Sequence, residues 1–170
     1  MAGRVLVVDH LKLSYEGLFN AGEVYSVIST FFFEKGYDWR EELNEEQITS
    51  EGKQVALILR PWKQYSDYFK SEMAIRVNFL NLKEVEVERE GETLKLQHGL
   101  VRIRFDGYII ADRSNEWNTT PIRWAFNFLA NLYFYSGPRR AMVTWVKADV
   151  NDLHNKIKNY LNVFKYHYEA

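Results

Sequence analysis

The chain has 170 residues, of which 46% are hydrophobic, 16% aromatic and 26% charged, a composition typical of one folded domain with a sizeable core. It contains no cysteine, which excludes disulfides, thiol catalysis, iron–sulfur clusters and cysteine-based zinc sites. The formal net charge of −1 gives no support for a general attraction to nucleic acid.

The apolar runs of the chain bear on its location. The run from Val5 to Val8 is too short for a signal-peptide core, and no run approaches the roughly twenty apolar residues of a membrane helix. We therefore predict a location in the cytoplasm and no membrane span. The elements described below predict a single α+β domain over residues 1–170.

The first predicted elements are a strand and a helix. Residues 4–16 alternate and are rich in β-branched side chains, so we predict one strand, or two short strands broken near Asp9. Asn20 and Glu23 have the spacing of a helix N-cap pair, and Gly36 is a typical helix end. Apolar residues at helical spacing lie between these ends: Val24, Val27, Ile28, Phe31 and Phe32.

Residues 37–48 fit either an exposed strand or an exposed helical turn. We favour a strand, because the segment 50–52 can form a hairpin turn into the apolar segment 53–62. From there, alternating residues predict a long antiparallel meander and a sheet of about six to seven strands. Its further arms are predicted at 65–82, 83–90, 93–97 and 100–112, with a tight hairpin at Glu90-Gly91-Glu92 and a bulge at Gly107.

One arm carries a row of glutamates at 84, 86, 88 and 90, and the intervening valines point to the other side. A row of carboxylates can bind a metal ion, but no histidine is interleaved here. We therefore favour a solvated strand face, in which the glutamates lie opposite Lys95, Arg102 or Arg104 on a neighbouring strand.

Two helices are predicted after the meander, and together with the N-terminal helix they are expected to pack on one face of the sheet. Thr120 as N-cap and Pro121 at the first helical position predict a helix that ends near Tyr135. A longer helix is predicted from about Arg140 to Lys165. Its apolar seam favours packing on the chain's own sheet, with a homodimer through this helix as the alternative. The seam consists of Val143, Val146, Val150, Leu153, Ile157, Tyr160 and Phe164.

No motif in the chain specifies a reaction. The four histidines are scattered and lack the spacing of metal ligands. No serine lies in a nucleophile elbow, and no glycine-rich phosphate loop is present. We therefore predict no metal, no cofactor and no catalytic residues, and nothing in the sequence supports an enzyme.

The predicted order is strand, helix, long antiparallel meander and long terminal helix. Over residues 10–165 this order resembles that of helix-grip proteins of the START and Bet v1-like kind. The resemblance implies a curved sheet whose C-terminal helix encloses an apolar cavity. Two features depart from the pattern: a single helix follows the first strand, and residues 120–135 add a helix before the last one. The general look of the chain also resembles small archaeal proteins.

The first functional hypothesis is a non-enzymatic binding protein. It would hold an apolar or amphipathic small molecule in a closed cavity between the sheet and the terminal helices. The residues predicted to line this cavity are Phe69, Met73, Phe105, Trp124 and Phe128.

The second hypothesis is an interaction module for a protein or a ribonucleoprotein, with nucleic acid as the less favoured partner. It would use a rim rich in aromatic residues and a basic face of the C-terminal helix, because phosphate contacts need clustered cations and unpaired bases stack on aromatic rings. The residues predicted for this surface are Arg60, Trp62, Lys63, Tyr65, Tyr68, Arg139, Arg140, Lys158 and Lys165.

Overall fold

A computed structural model describes residues 3–111, 121–122, 124–125, 128–129 and 136–168. The predicted α+β class is confirmed, because these ranges contain an antiparallel sheet and long helices. The elements are β1 (Gly3–Phe19), α1 (Ala21–Glu34), β2 (Glu41–Thr49), β3 (Gly52–Leu59), β4 (Trp62–Gln64), β5 (Phe69–Arg89), β6 (Glu92–Ala111) and α2 (Ser136–Tyr168).

The helix predicted from Pro121 to Tyr135 falls only partly on described residues. Pro121, Ile122, Trp124, Ala125, Phe128 and Leu129 are helical, and the rest of that prediction lies outside the described residues. None of the helices in the described ranges is long and apolar enough to cross a membrane.

Within the described ranges the sheet has six strands in the order β1-β6-β5-β3-β2, with β4 paired to β5, and every pairing is antiparallel. Four predicted arms merge into two long strands. The arms at 65–82 and 83–90 join in β5, because a register shift between Leu80 and Lys83 continues the strand where we expected a turn. Asn81 takes the left-handed conformation (φ 55°) at this shift. The arms at 93–97 and 100–112 join in the same way in β6.

Two local predictions about the meander are confirmed. Residues 41–49 form a strand, which decides between the two structures considered for this segment. Arg89 pairs with Glu92, and both intervening residues have positive φ (52° for Glu90 and 85° for Gly91). Such a pair of left-handed residues is the hairpin turn whose twist matches that of the strands.

The irregularity predicted at Gly107 lies on the neighbouring strand. β1 is one strand, as the first alternative predicted, but its pairing with β6 shifts between Leu6 and Val8 and again between Val8 and Leu11. Gly107 itself stays in register with Met73 on β5. A side chain at position 107 would meet α2, since a Cβ there would lie 2.9 Å from Val146 Cγ1.

Both helices contribute to the apolar core on one face of the sheet. α1 has Asn20 as N-cap, as predicted, and the Asn20 side chain accepts a hydrogen bond from the Glu23 backbone N–H at 3.2 Å. α2 is roughly 50 Å long and starts earlier than predicted, because Pro138 lies within its first turn, where no intrahelical N–H bond is needed. The buried residues of α2 are Met142, Val146, Val150, Leu153, Ile157 and Leu161.

The seam of α2 therefore differs from the predicted one at both ends. Val143, Tyr160 and Phe164 are only half-buried, and Met142 and Leu161 replace them in the core. The predicted seam followed a heptad spacing, whereas a straight helix of 3.6 residues per turn drifts away from it.

Candidate functional site

The second face of the sheet, which points away from the core, carries the polar side chains of β1, β5 and β6. On β5 the buried Ile75 and Val77 alternate with Arg76 and the exposed Asn78. On β6 the buried Ile103 alternates with Arg102 and Arg104 in the same way. Because directly paired residues of neighbouring strands share a face, the register shows which side chains meet there.

The register places six polar residues in two rows across β1, β6 and β5. In the first row Lys12 pairs with Arg104, and Arg104 pairs with Arg76. In the second row Ser14 pairs with Arg102, and Arg102 pairs with Asn78. We call these six residues, which are Lys12, Ser14, Arg76, Asn78, Arg102 and Arg104, the cationic grid. Together with Leu13 and Ile103 they line a pocket of about 460 Å³.

The cationic grid has one buried counter-charge. Asp106 is fully buried, and its Oδ2 accepts a hydrogen bond from Arg76 Nη1 at 2.6 Å. Arg104 Nε lies 3.9 Å from the same oxygen and is buried, with no hydrogen-bond partner in the described part of the chain. Among the residues that the structure describes, no carboxylate pairs with Lys12 or Arg102.

The irregular segment of β1 supplies two further groups at the edge of the cationic grid. His10, in the left-handed conformation (φ 52°), donates its backbone N–H to Asp106 Oδ1 at 2.9 Å. Its ring Nδ1 lies 2.8 Å from that oxygen and 2.5 Å from Asp9 Oδ1. Asp9, His10 and Asp106 therefore bring three metal-ligating atoms within 4.8 Å of one another, a grouping the sequence analysis missed. The guanidinium of Arg76 on the shared carboxylate opposes a cation there electrostatically.

The residues predicted to line an apolar cavity separate into two groups. Phe69, Met73 and Phe105 lie in the packed core, and the Phe105 ring contacts His154 of α2. Trp124 and Phe128 are 57% and 55% exposed and stack on each other with ring centroids 5.9 Å apart. An apolar ligand between sheet and helices stays a prediction, which native mass spectrometry of the protein purified from its own host would test through the mass of a bound molecule.

Part of the predicted interaction surface consists of side chains with internal partners. Arg60 Nε donates to Glu42 at 2.6 Å and Arg60 Nη1 to Glu72 at 3.3 Å, and the guanidinium lowers the pKa of the Glu42 carboxyl. Lys63 Nζ donates to the Lys35 carbonyl at 2.7 Å. The three aromatic residues of this group, Trp62, Tyr65 and Tyr68, are half-buried.

Two of these aromatic residues have described ring partners. The Tyr65 ring packs on Trp145 of α2 with centroids 5.7 Å apart, and the Tyr68 ring packs edge-on against Phe69. The segment is therefore a corner where β4, β5 and α2 meet.

The basic residues predicted on the C-terminal helix are exposed. Arg139 and Arg140 lie in the first turns of α2, and Lys158 and Lys165 lie toward its other end, so the four do not form one cluster. A protein, ribonucleoprotein or homodimer contact through α2 stays a prediction.

The cationic grid escaped the sequence analysis because its members are distant in the chain. The segments around Arg76 and Arg102 did indicate strands with one polar face, since every second residue is apolar. Lys95, Arg102 and Arg104 were the alternatives considered for the residues opposite the glutamate row. Glu84 and Glu86 pair with Gln97 and Lys95, so Lys95 is the alternative that is confirmed.

Comparison with known proteins adds no assignment. The chain matches no protein-family model, and no curated protein matches it in sequence. The resemblance to helix-grip proteins therefore stays a prediction that rests on the order of the elements.

Proposed function

We propose that this chain is a binding protein whose ligand is an anion held on the cationic grid. The observation that carries this proposal is the uninterrupted row of Lys12, Arg104 and Arg76 on three neighbouring strands. Like charges directly opposite each other destabilise a sheet, and Asp106 balances only part of the charge. Local features that cost stability without an internal benefit are typical of functional sites.

The chemistry of the cationic grid suits an oxyanion. A guanidinium presents its N–H groups in a planar fork that matches carboxylate, sulfate and phosphate oxygens, whereas an ammonium acts as a point charge. Arg102 and Lys12 are exposed and have no described ion-pair partner, so their donors face the pocket without competition from a carboxylate. Ser14 and Asn78 add neutral hydrogen-bonding groups at the same rim.

Thermal unfolding in the presence of sulfate tests the proposal. We expect millimolar sulfate to raise the Tm of the wild-type protein relative to chloride at equal ionic strength, because a ligand that binds only the folded state stabilises it. At a ligand concentration 100 times Kd the gain is about 2.7 kcal/mol.

The matched variants are Arg102→Gln in the cationic grid and Lys165→Gln on α2, since both replace an exposed cation. Arg102→Gln should lose most of the sulfate effect, and Lys165→Gln should keep it. Equal sulfate effects in both variants would show that sulfate acts through general exclusion from the protein surface, and the proposal would be wrong.

A further inference from the structure

We infer that the anion is a phosphate group on a compact small molecule, and that the uncharged part of this molecule lies on β3 and β2 beside the cationic grid. This inference rests on the proposed function. It adds the class of the ligand and the direction in which it lies on the sheet.

Acidic residues border the cationic grid. The second row continues across the sheet from Asn78 to Ala56 and ends at Glu45 on the edge strand β2. Along β1 the exposed Glu16 follows Ser14 on the same face. A long polyanion that crossed the sheet would leave the cations and meet these carboxylates, so the charge pattern favours a ligand whose negative charge is confined to the pocket.

The first row of the cationic grid continues into apolar residues on β3 and β2. Arg76 pairs with Ile58 on β3, and Ile58 pairs with Leu43 on β2. Both apolar side chains are half-buried, and Ala56 lies beside them on the same face. We call Ile58, Ala56 and Leu43 the apolar strip. Each of the two strands that carry it takes up one strand spacing, so the strip is roughly 10 Å wide, which is enough for one ring system.

The size of the pocket and the aromatic residues on this face bear on the kind of ligand. The pocket lined by the cationic grid has a volume of about 460 Å³, which is larger than a phosphate group needs, and the apolar side chains of β3 and β2 lie beside this lining and are not part of it. Single-stranded nucleic acids are held by exposed aromatic rings on which bases stack. Tyr108 lies on this face, but the Arg4 guanidinium covers its ring at 3.8 Å. A phosphorylated small molecule therefore fits this face better than a nucleic acid.

Isothermal titration calorimetry with three probes tests the inference: inorganic phosphate, 1-naphthyl phosphate and an oligothymidylate of about twenty nucleotides. We expect 1-naphthyl phosphate to bind with a stoichiometry of one and about tenfold more tightly than inorganic phosphate, because its ring covers the apolar strip. The oligothymidylate should bind more weakly than 1-naphthyl phosphate.

Two variants locate the contacts, a third replaces one of them if it does not fold, and a fourth is the control. Ile58→Ala should reduce the preference for 1-naphthyl phosphate and leave the affinity for inorganic phosphate unchanged. Arg102→Gln should weaken both phosphates, with Lys12→Gln as a second grid variant if the first does not fold. Lys165→Gln, an exposed cation on α2, should bind all three probes as the wild type does.

The outcomes separate this inference from the proposed function. If the oligothymidylate binds more tightly than 1-naphthyl phosphate, and Arg102→Gln abolishes this binding, the inference of a compact ligand is wrong. The proposed anion site would still hold. Equal affinities for inorganic and 1-naphthyl phosphate would overturn the role of the apolar strip. If the wild-type protein binds none of the three probes, both the inference and the proposed function are wrong.

Discussion

Asp106 is the residue on which the organisation of the cationic grid depends. Its carboxylate is fully buried and accepts hydrogen bonds from the Arg76 side chain and the His10 backbone. It is thus a buried charge shared by β5, β6 and the irregular segment of β1. Removing one partner of a buried ion pair leaves the other uncompensated, which costs more than the pair itself contributes.

We expect Asp106→Asn to lower the free energy of unfolding by about 3 kcal/mol, measured by urea denaturation. The amide keeps the shape of the side chain but leaves Arg76 opposite Arg104 without a counter-charge. Asp9→Asn is the control, because Asp9 is 68% exposed, and it should change stability by less than about 0.5 kcal/mol. Equal effects of the two substitutions would contradict the role given to Asp106.

Gly107 is the second residue with a decisive local role, since α2 approaches the sheet at this point. A Cβ at position 107 would lie 2.9 Å from Val146 Cγ1 and 3.4 Å from Val8. We expect Gly107→Ala to destabilise the protein by about 2 kcal/mol through overpacking. Gly137→Ala is the matched control, because among the described residues, apart from its chain neighbours and the adjacent backbone of α2, no atom lies within 4 Å of a Cβ there.

A double-mutant cycle with Val146→Ala tests the cause of this effect. Val146→Ala opens the space that the new methyl group needs, so the double variant should be more stable than the sum of the two single effects predicts. Additive losses would place the strain from Gly107→Ala somewhere other than the contact with α2.

At the scale of elements, polar side chains join α1 and the segment after it to α2. Tyr37 donates its hydroxyl to Asp149 Oδ2 at 2.8 Å, and Lys35 Nζ lies 3.1 Å from the other oxygen of that carboxylate. Farther along α2, Tyr160 donates to Glu23 at 2.6 Å. These contacts hold two helices in place that also share the apolar core.

These tyrosines make the stability sensitive to alkaline pH. Burial raises the pKa of Tyr37 and of Tyr160 above the ordinary value, and burial with the Glu41 contact raises the pKa of Tyr25 to about 12. The folded state then keeps protons that the unfolded chain releases above pH about 10. Their stabilising contribution is therefore complete below that pH and decreases as the pH rises above it.

We expect Tyr37→Phe to reduce the loss of stability between pH 10 and 11 by about 1 kcal/mol, because the unfolded tyrosine, with an ordinary pKa near 10, goes from about half to about nine-tenths deprotonated over this range while the folded one keeps its proton. Urea denaturation at pH 8, 10 and 11 measures this difference. Tyr166→Phe, which removes a hydroxyl from a side chain that is 72% exposed, should show the pH dependence of the wild type. The same slope in Tyr37→Phe and in the wild type would contradict the prediction.

At the scale of the whole molecule, the net charge of −1 conceals an uneven surface. Residues 113–170 hold eight basic and four acidic groups, which directed the sequence-based hypothesis to α2. The folded chain instead concentrates cations on β1, β5 and β6, where four of them share one pocket. Mutual repulsion in this pocket should lower the stability of the ligand-free protein.

We therefore expect Arg102→Gln to raise the free energy of unfolding by about 0.5 kcal/mol at low ionic strength and in the absence of oxyanions. The gain should disappear in 1 M sodium chloride, because salt screens exposed charges. Lys165→Gln serves as the control and should give no gain. A loss of stability in Arg102→Gln at low salt would show that Arg102 makes a favourable contact in the folded state.

Much of the fold could be predicted from local patterns. Asn20 caps α1 because its short side chain reaches the N–H of Glu23, and Glu90-Gly91 forms a two-residue turn because it accommodates positive φ. The alternation of apolar and polar residues around Arg76 and Arg102 agrees with their position on the face away from the core. Each of these signals arises within a few residues of the chain.

The candidate site required the tertiary structure, because it depends on which strands are neighbours and on their register. β1 and β6 come from opposite ends of the described sheet sequence, yet they pair, and this pairing sets Lys12 beside Arg104. The register shifts at residues with a left-handed backbone conformation, such as His10 and Asn81. A shift of one residue would send each side chain to the other face. Local sequence patterns thus predict on which side of its strand a residue lies, whereas long-range pairing determines which charges meet.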